Sequence, residues 1–206
     1  MAKTPGYNDR VFFNCPFDAQ YMPLFRAIIF SIYRCGFSPR SALEEDNGLD
    51  VRLDKIIRLI SLCKYGVHDI SRTEVGANGY PRFNMPFELG LFFGAKKLGD
   101  NQQKNKNALI LEKKAFSYQQ FLSDLNGVDT KSHNNDPLVA LKLIREWLST
   151  TSRRKTIPTL LILKNDFEEF EKKLPVIAKE TGYPVDEIPF NDFCRMVEQA
   201  IDKKVW

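Results

Sequence analysis

The chain has 206 residues, 43% of them hydrophobic and 27% charged, enough to bury a sizeable core and to stay in water. Its net charge of +4 is scattered, and the basic runs at Lys96-Lys97, Lys113-Lys114 and Arg153-Arg154-Lys155 lack interleaved aromatics, which argues against a nucleic-acid partner. Apolar stretches at residues 24–33 and 89–95 are too short to cross a membrane, no signal-peptide centre is visible, and 4 cysteines without C-x-x-C spacing point to reduced thiols and a cytoplasmic setting.

In chain order, Arg10–Asn14 is a β-rich run closed by Cys15-Pro16 and reads as a first strand. Leu24, Phe25, Ile28, Ile29 and Ile32 recur at helical spacing, and Gly36 ends that helix. Residues 37–42 read as a second strand, which Pro39 places at a sheet edge. After a polar loop at residues 44–48, the stripe Leu53, Ile56, Ile57, Ile60 and Cys63 marks a second helix. Residues 66–70 form a third predicted strand, followed by a Gly-, Asn- and Pro-rich loop over residues 71–81. A third helix opens near Asn84, an N-cap type, with Pro86 in its first turn, and ends near Gly99. Residues 108–111 make a fourth strand. Strand and helix in regular succession predict an α/β fold, a parallel sheet with helices on both faces.

Beyond Lys114 the alternation fades. Residues 118–125 read as helix, 126–137 as a polar loop, and residues 137–148, 158–179 and 190–205 as further helices, although residues 160–163 alone also suit a strand. The expected organisation is an α/β core over residues 1–114 and a helical extension packed on it over residues 115–206.

Ligands of open α/β sheets bind at the carboxyl ends of the strands, where loops and helix N-termini converge. Residues 14–18, 40–48, 69–72 and 84–88 all fall there. Glu88 is the most pointed residue among them: it is expected in the first turn of its helix, with Phe83, Met85 and Phe87 nearby to stack a flat ring. The same placement suits a helix cap, in which a first-turn glutamate is worth about 0.3–1 kcal/mol, and both readings stand. No glycine-rich phosphate loop follows a strand, so Arg40, Arg52, Arg72 and Arg82 are the phosphate candidates through forked guanidinium contacts. Gly90 and Gly94 suggest close packing of the third helix. Of the 2 histidines, His68 reads as a hydrogen-bonded core residue. His133, crowded with Asp124, Asp129 and Asp136, falls among turn formers whose spacing fits no metal loop.

The strand end Val67-His68-Asp69-Ile70-Ser71 and the helix opening Phe87-Glu88-Leu89-Gly90, followed by Leu98-Gly99, resemble bacterial TIR-like (Toll/interleukin-1 receptor-like) domains. The likeness spans residues 10–111; the proline-glycine signature of many receptor loops is absent between Glu44 and Gly48, and the W-C-x-x-E-L form of the helix is represented by M-P-F-E-L-G. The resemblance implies a flavodoxin-like sheet and, in bacterial antiviral defence, cleavage of the nicotinamide N-glycosidic bond of NAD, by hydrolysis or by cyclisation to a signalling nucleotide. NAD is then the substrate and no cofactor is implied. Glu88 matches the family's catalytic glutamate, whose implied work is to hold the ribose hydroxyls and to stabilise oxocarbenium-like charge. By analogous placement, Asn14 and Phe17 would shape the nicotinamide-ribose pocket, and Arg40, Asp46 and Arg52 would lie near the second-strand loop. Asp69, Ser71 and Asn84 would line the remaining rim, with Arg82 beside them. Self-assembly into a homo-oligomer, or an effector partner, is implied as well. Two other readings stand beside this one. In a nucleoside deoxyribosyltransferase-like enzyme, Glu88 would attack the sugar carbon and Asp69 would supply a loop acid. In a non-catalytic nucleotide sensor or assembly module, Phe116, Phe121, Trp147 and Trp206 would serve a partner surface.

Overall fold

Apolar and aromatic residues set the strands β1 (Arg10–Asn14), β3 (Tyr65–Asp69) and β4 (Asn107–Glu112), and the short segments β2 (Ser38–Arg40) and β5 (Lys131–Ser132) pair at the two sheet edges. The helices are α1 (Met22–Arg34), α2 (Arg52–Ser61), α3 (Asn84–Leu98), α4 (Pro137–Ser152), α5 (Leu160–Glu180) and α6 (Phe190–Asp202). The computed structural model describes residues 4–72 and 82–204, so the expected loop at residues 73–81 and Trp206 lie outside the described residues. All five strands pair in parallel, in the order β2-β1-β3-β4-β5. This is the flavodoxin-like order, in which the direction of strand addition reverses between β1 and β3. Pro39 sits in the three-residue edge strand β2, where its missing N–H leaves no gap in a central ladder.

The chain divides into two compact units, one holding β1 to β5 with α2 and α3, the other holding α1 with α4, α5 and α6. The boundary expected after Lys114 therefore lies inside the sheet unit, because β5 joins the sheet edge beside β4. A two-residue strand is too short to announce itself by alternation, and residues 126–137 read from sequence only as a polar loop.

In the sheet unit, Phe12 packs with Ile56, Leu59, Ile60, Cys63 and Phe92, so α2 and α3 cover the same face of β1. Ile70, Met85, Leu89, Ile110 and Tyr118 form a second cluster under the first turns of α3. Full burial of side chains of this size contributes about 1.5–3 kcal/mol each. Gly66 permits the close approach of α3: a Cβ there would lie 2.7 Å from His68 Nε2 and 2.8 Å from the Phe92 ring. Before β4, the buried Lys106 donates from Nζ to the carbonyls of Ile60, at 2.6 Å, and Cys63, so that carbonyls ending α2 are satisfied. Burial pushes the Lys106 ammonium down to about 8.

The expected helix over residues 118–125 is instead two short 3-10 turns, Ser117–Gln120 and Ser123–Leu125. Glu112 causes the difference. Its buried carboxylate, at the end of β4, accepts from the Phe116 and Tyr118 N–H groups and from the Ser117 and Thr130 hydroxyls. The segment wraps around this acceptor, and the Tyr118 hydroxyl completes the wrap by donating to carbonyls at Leu125 and Val128.

The helical unit is built around aromatic contacts, Phe25 with Phe190 and Phe193, and Phe30 with Phe167 and Phe170. Two ion pairs tie α1 to α5: Arg26 with Glu171 at 2.9 Å and Arg34 with Asp166 at 2.8 Å. Residues 160–163, ambiguous in sequence, are the start of α5, with Thr159 as its N-cap accepting from the Ile162 N–H. All four cysteines are buried. No described helix is long and apolar enough to cross a membrane.

Candidate active site

The reversal point between β1 and β3 is where ligands of this fold class bind, and α3 begins above it. Asn14, the last residue of β1, donates from Nδ2 to the Met85 carbonyl at 2.8 Å, which anchors the first turn of α3 over the strand ends. α3 starts one residue earlier than expected, at Asn84 itself rather than after it. Phe83, in a helical conformation, occupies the N-cap position without a side-chain cap, and Asn84 is the first helical residue.

This start moves Glu88 out of the first turn, to the fifth helical residue. The free N–H groups of a helix end belong to its first turn, so the capping duty weighed from sequence loses its geometric basis. The carboxylate is instead buried, at 6% exposure. Its ion-pair partner among the described residues is Arg52, the first residue of α2, at 3.7 Å. Burial disfavours the charged form and pushes Glu88 up to about 7, while the Arg52 guanidinium pulls the other way. Arg52 itself is half exposed and open to solvent beyond the pair.

Around this pair, Phe83 and Phe87 are both exposed, whereas Met85 turns inward to the cluster with Leu89 and Ile110. The expected apolar setting of Glu88 is thus split, with two rings outside and one thioether in the core. Asn84, Arg82 and Asp46 are exposed, and Phe17 is largely so. Arg40 is committed to Glu44 through a forked contact with Nε at 2.8 and 2.7 Å from the two carboxylate oxygens. The loop between β2 and α2 is laced down by further contacts, Arg58 with Glu45 and Asp50, and Lys55 Nζ with the Glu45 carbonyl at 2.7 Å.

Asp69 and Ser71 face inward rather than to the rim. Asp69 is fully buried; one oxygen accepts from the Ser71 N–H at 2.9 Å and from its hydroxyl, and the other lies 3.0 Å from His133 Nε2. His133 Nδ1 accepts from the Asn135 N–H at 3.0 Å, so the ring proton resides on Nε2 and faces Asp69 and Ser71. A serine-histidine-aspartate relay needs Ser and Asp on opposite ring nitrogens. Here both sit at Nε2, and the trio is a buried clasp joining the end of β3 to the segment after β5. Sequence reading missed His133 as a partner of Asp69. No local signal marks it, since the two lie 64 positions apart (133 minus 69) and meet only because β5 joins the sheet. No group of three or more His, Cys, Asp or Glu among the described residues is placed to hold a metal ion.

Fold and site define a class: an open parallel α/β domain of flavodoxin-like order with a buried carboxylate, paired to an arginine, at its reversal point. Comparison with protein-family models, curated proteins and solved structures finds no match to this chain.

Proposed function

We propose that the chain cleaves the N-glycosidic bond between nicotinamide and ribose in NAD, with Glu88 as the catalytic residue. The observation that supports this most is the setting of Glu88, a carboxylate 6% exposed, beside Arg52, above the β1–β3 reversal point. Ionised, it accepts hydrogen bonds from the ribose hydroxyls and opposes the positive charge that grows at the anomeric carbon. The bonding pair of the C–N bond leaves with nicotinamide, whose ring nitrogen becomes neutral. Water, or a hydroxyl of the same nucleotide, then adds to the carbon and releases its proton. Arg52 favours the ionised carboxylate and has free donors for a phosphate oxygen. The exposed rings of Phe83 and Phe87 offer platforms for a flat base.

The deoxyribosyltransferase reading has less support. The loop acid it needs, Asp69, is fully buried and engaged with Ser71 and His133.

Purified protein is incubated at high concentration with NAD and, separately, with a pair of deoxynucleosides, alongside Glu88→Gln. Expected are nicotinamide release by the wild type, loss of at least about 100-fold in Glu88→Gln, and a rate that rises with pH through about 7, as the Glu88 carboxyl ionises. Release undiminished in Glu88→Gln overturns the reading. Exchange of bases between deoxynucleosides with NAD left intact favours the transferase, and nucleotide binding without turnover favours a sensor.

A further inference from the structure

Asn14 and His68 lie side by side in register on β1 and β3, and both are buried. Their hydrogen bonds can be oriented without observing a proton. The Met85 carbonyl can only accept, so the Asn14 atom 2.8 Å from it is the amide nitrogen. The same nitrogen lies 3.2 Å from His68 Nδ1. Its second proton points there, and Nδ1 must be the bare ring nitrogen. The His68 proton therefore sits on Nε2, which has no hydrogen-bond partner among the described residues and leans against the Phe92 ring, edge to face at 4.9 Å. Phe12 flanks the ring at 5.8 Å. Burial, with Lys106 adding to it, pushes the imidazole down to about 3, which keeps it neutral near pH 7 with Nδ1 able to accept.

From this arrangement we infer that Asn14 and His68 are positioning residues for Glu88, a fixed two-link strut from β3 through β1 to the first turn of α3. The Met85 carbonyl lies three residues before Glu88, about one turn below it, and Phe92 lies four residues after it, about one turn above. His68 thus touches α3 on both sides of Glu88, through Asn14 below and through Phe92 above. The strut sets the depth at which the carboxylate sits. Both Asn14 amide protons are engaged inside the protein, which leaves its Oδ1 for the pocket-shaping role implied by the resemblance. The catalytic meaning rests on the reading of Glu88 proposed above; the placement of the carboxylate does not.

Two substitutions at His68 separate hydrogen bond from packing. His68→Phe keeps a ring between Phe12 and Phe92 but removes the acceptor. His68→Asn loses the ring but returns an acceptor oxygen near the place of Nδ1. Asn14→Leu keeps volume and removes the donor, and serves if His68→Phe does not fold. The readouts are the titration of the Glu88 side-chain carboxyl by carbon-13 NMR and the kcat and KM of nicotinamide release. In His68→Phe and Asn14→Leu the Glu88 midpoint should fall from about 7 toward the ordinary glutamate value of 4.5, as a looser first turn lets water reach the carboxyl. In the same variants kcat should drop about 10- to 100-fold with KM little changed, the cost of misplacing a reacting group. His68→Asn should stay close to wild type in both readouts, and the double variant should be no worse than either single one. A His68→Phe protein that titrates and turns over like wild type, or that outperforms His68→Asn, overturns the inference, because packing alone would then account for the histidine. If Glu88→Gln cleaves NAD as well as wild type, or no variant cleaves it, the functional reading falls and the Glu88 titration still decides whether the strut places the carboxylate.

Discussion

Glu88→Gln carries a second consequence that does not depend on catalysis. A midpoint raised from 4.5 to about 7 means that the folded protein holds the Glu88 proton over a range in which the unfolded chain has lost it. Stability changes with pH in proportion to the protons bound by the unfolded state minus those bound by the native state. Between 4.5 and about 7 that difference is negative for Glu88, so its contribution is fully present below 4.5, declines as pH rises and is lost above about 7. At about 1.4 kcal/mol per pH unit the whole loss comes to about 3 kcal/mol. Glutamine has nearly the same shape and no charge to desolvate. The variant should match wild type near pH 4 and exceed it by about 3 kcal/mol near pH 8, a difference in which the opposing pull of the Arg52 guanidinium is already contained. Urea unfolding at the two pH values, followed through amide exchange of β1 and β3 so that the sheet unit is read by itself, gives the difference directly. Other titrating groups cancel between the two proteins. A gap that is the same at both pH values, or a variant that is the less stable one at pH 8, would refute the claim that burial dominates the Glu88 environment.

Gly66→Ala should destabilise the sheet unit by about 1–3 kcal/mol, because its new methyl would lie 2.7 Å from His68 Nε2 and 2.8 Å from Phe92; an unchanged urea midpoint would show that the ring pair has room to retreat. Glu112→Gln turns one of the acceptor oxygens into a donor facing other donors, and should cost about 1–3 kcal/mol with faster amide exchange at Phe116 and Tyr118. If exchange there stays as slow as in wild type, the segment is held by something other than the carboxylate.

Local patterns carried much of the architecture. β1 begins and ends as expected and α3 stops before Gly99; of the expected stripe Leu53, Ile56, Ile57, Ile60 and Cys63, α2 buries Ile56 and Ile60, with Leu59 beside them, while Leu53 and Ile57 are exposed and Cys63 is buried just past the helix end. These features depend on residues a few positions apart, where the periods of strand and helix act directly. The succession of strands and helices was enough to predict a parallel α/β sheet, and it drew attention to Glu88 through its place at the start of a helix after a strand end.

What the sequence could not reach were the features made by contacts between distant segments. Asn14 meets His68 across 54 positions and the Met85 carbonyl across 71. Both meetings depend on the register of β1 against β3, which no local spacing encodes. The same holds for β5, whose two residues become a strand only because the edge of β4 is there to pair with, and for His133, which reaches Asp69 only through that pairing. The sequence by itself determined that a carboxylate stands near the start of α3. Only the tertiary structure decided that this carboxylate lies in the second turn, buried beside Arg52, because burial and pairing belong to the packed arrangement of α2, α3 and the sheet rather than to any one of them.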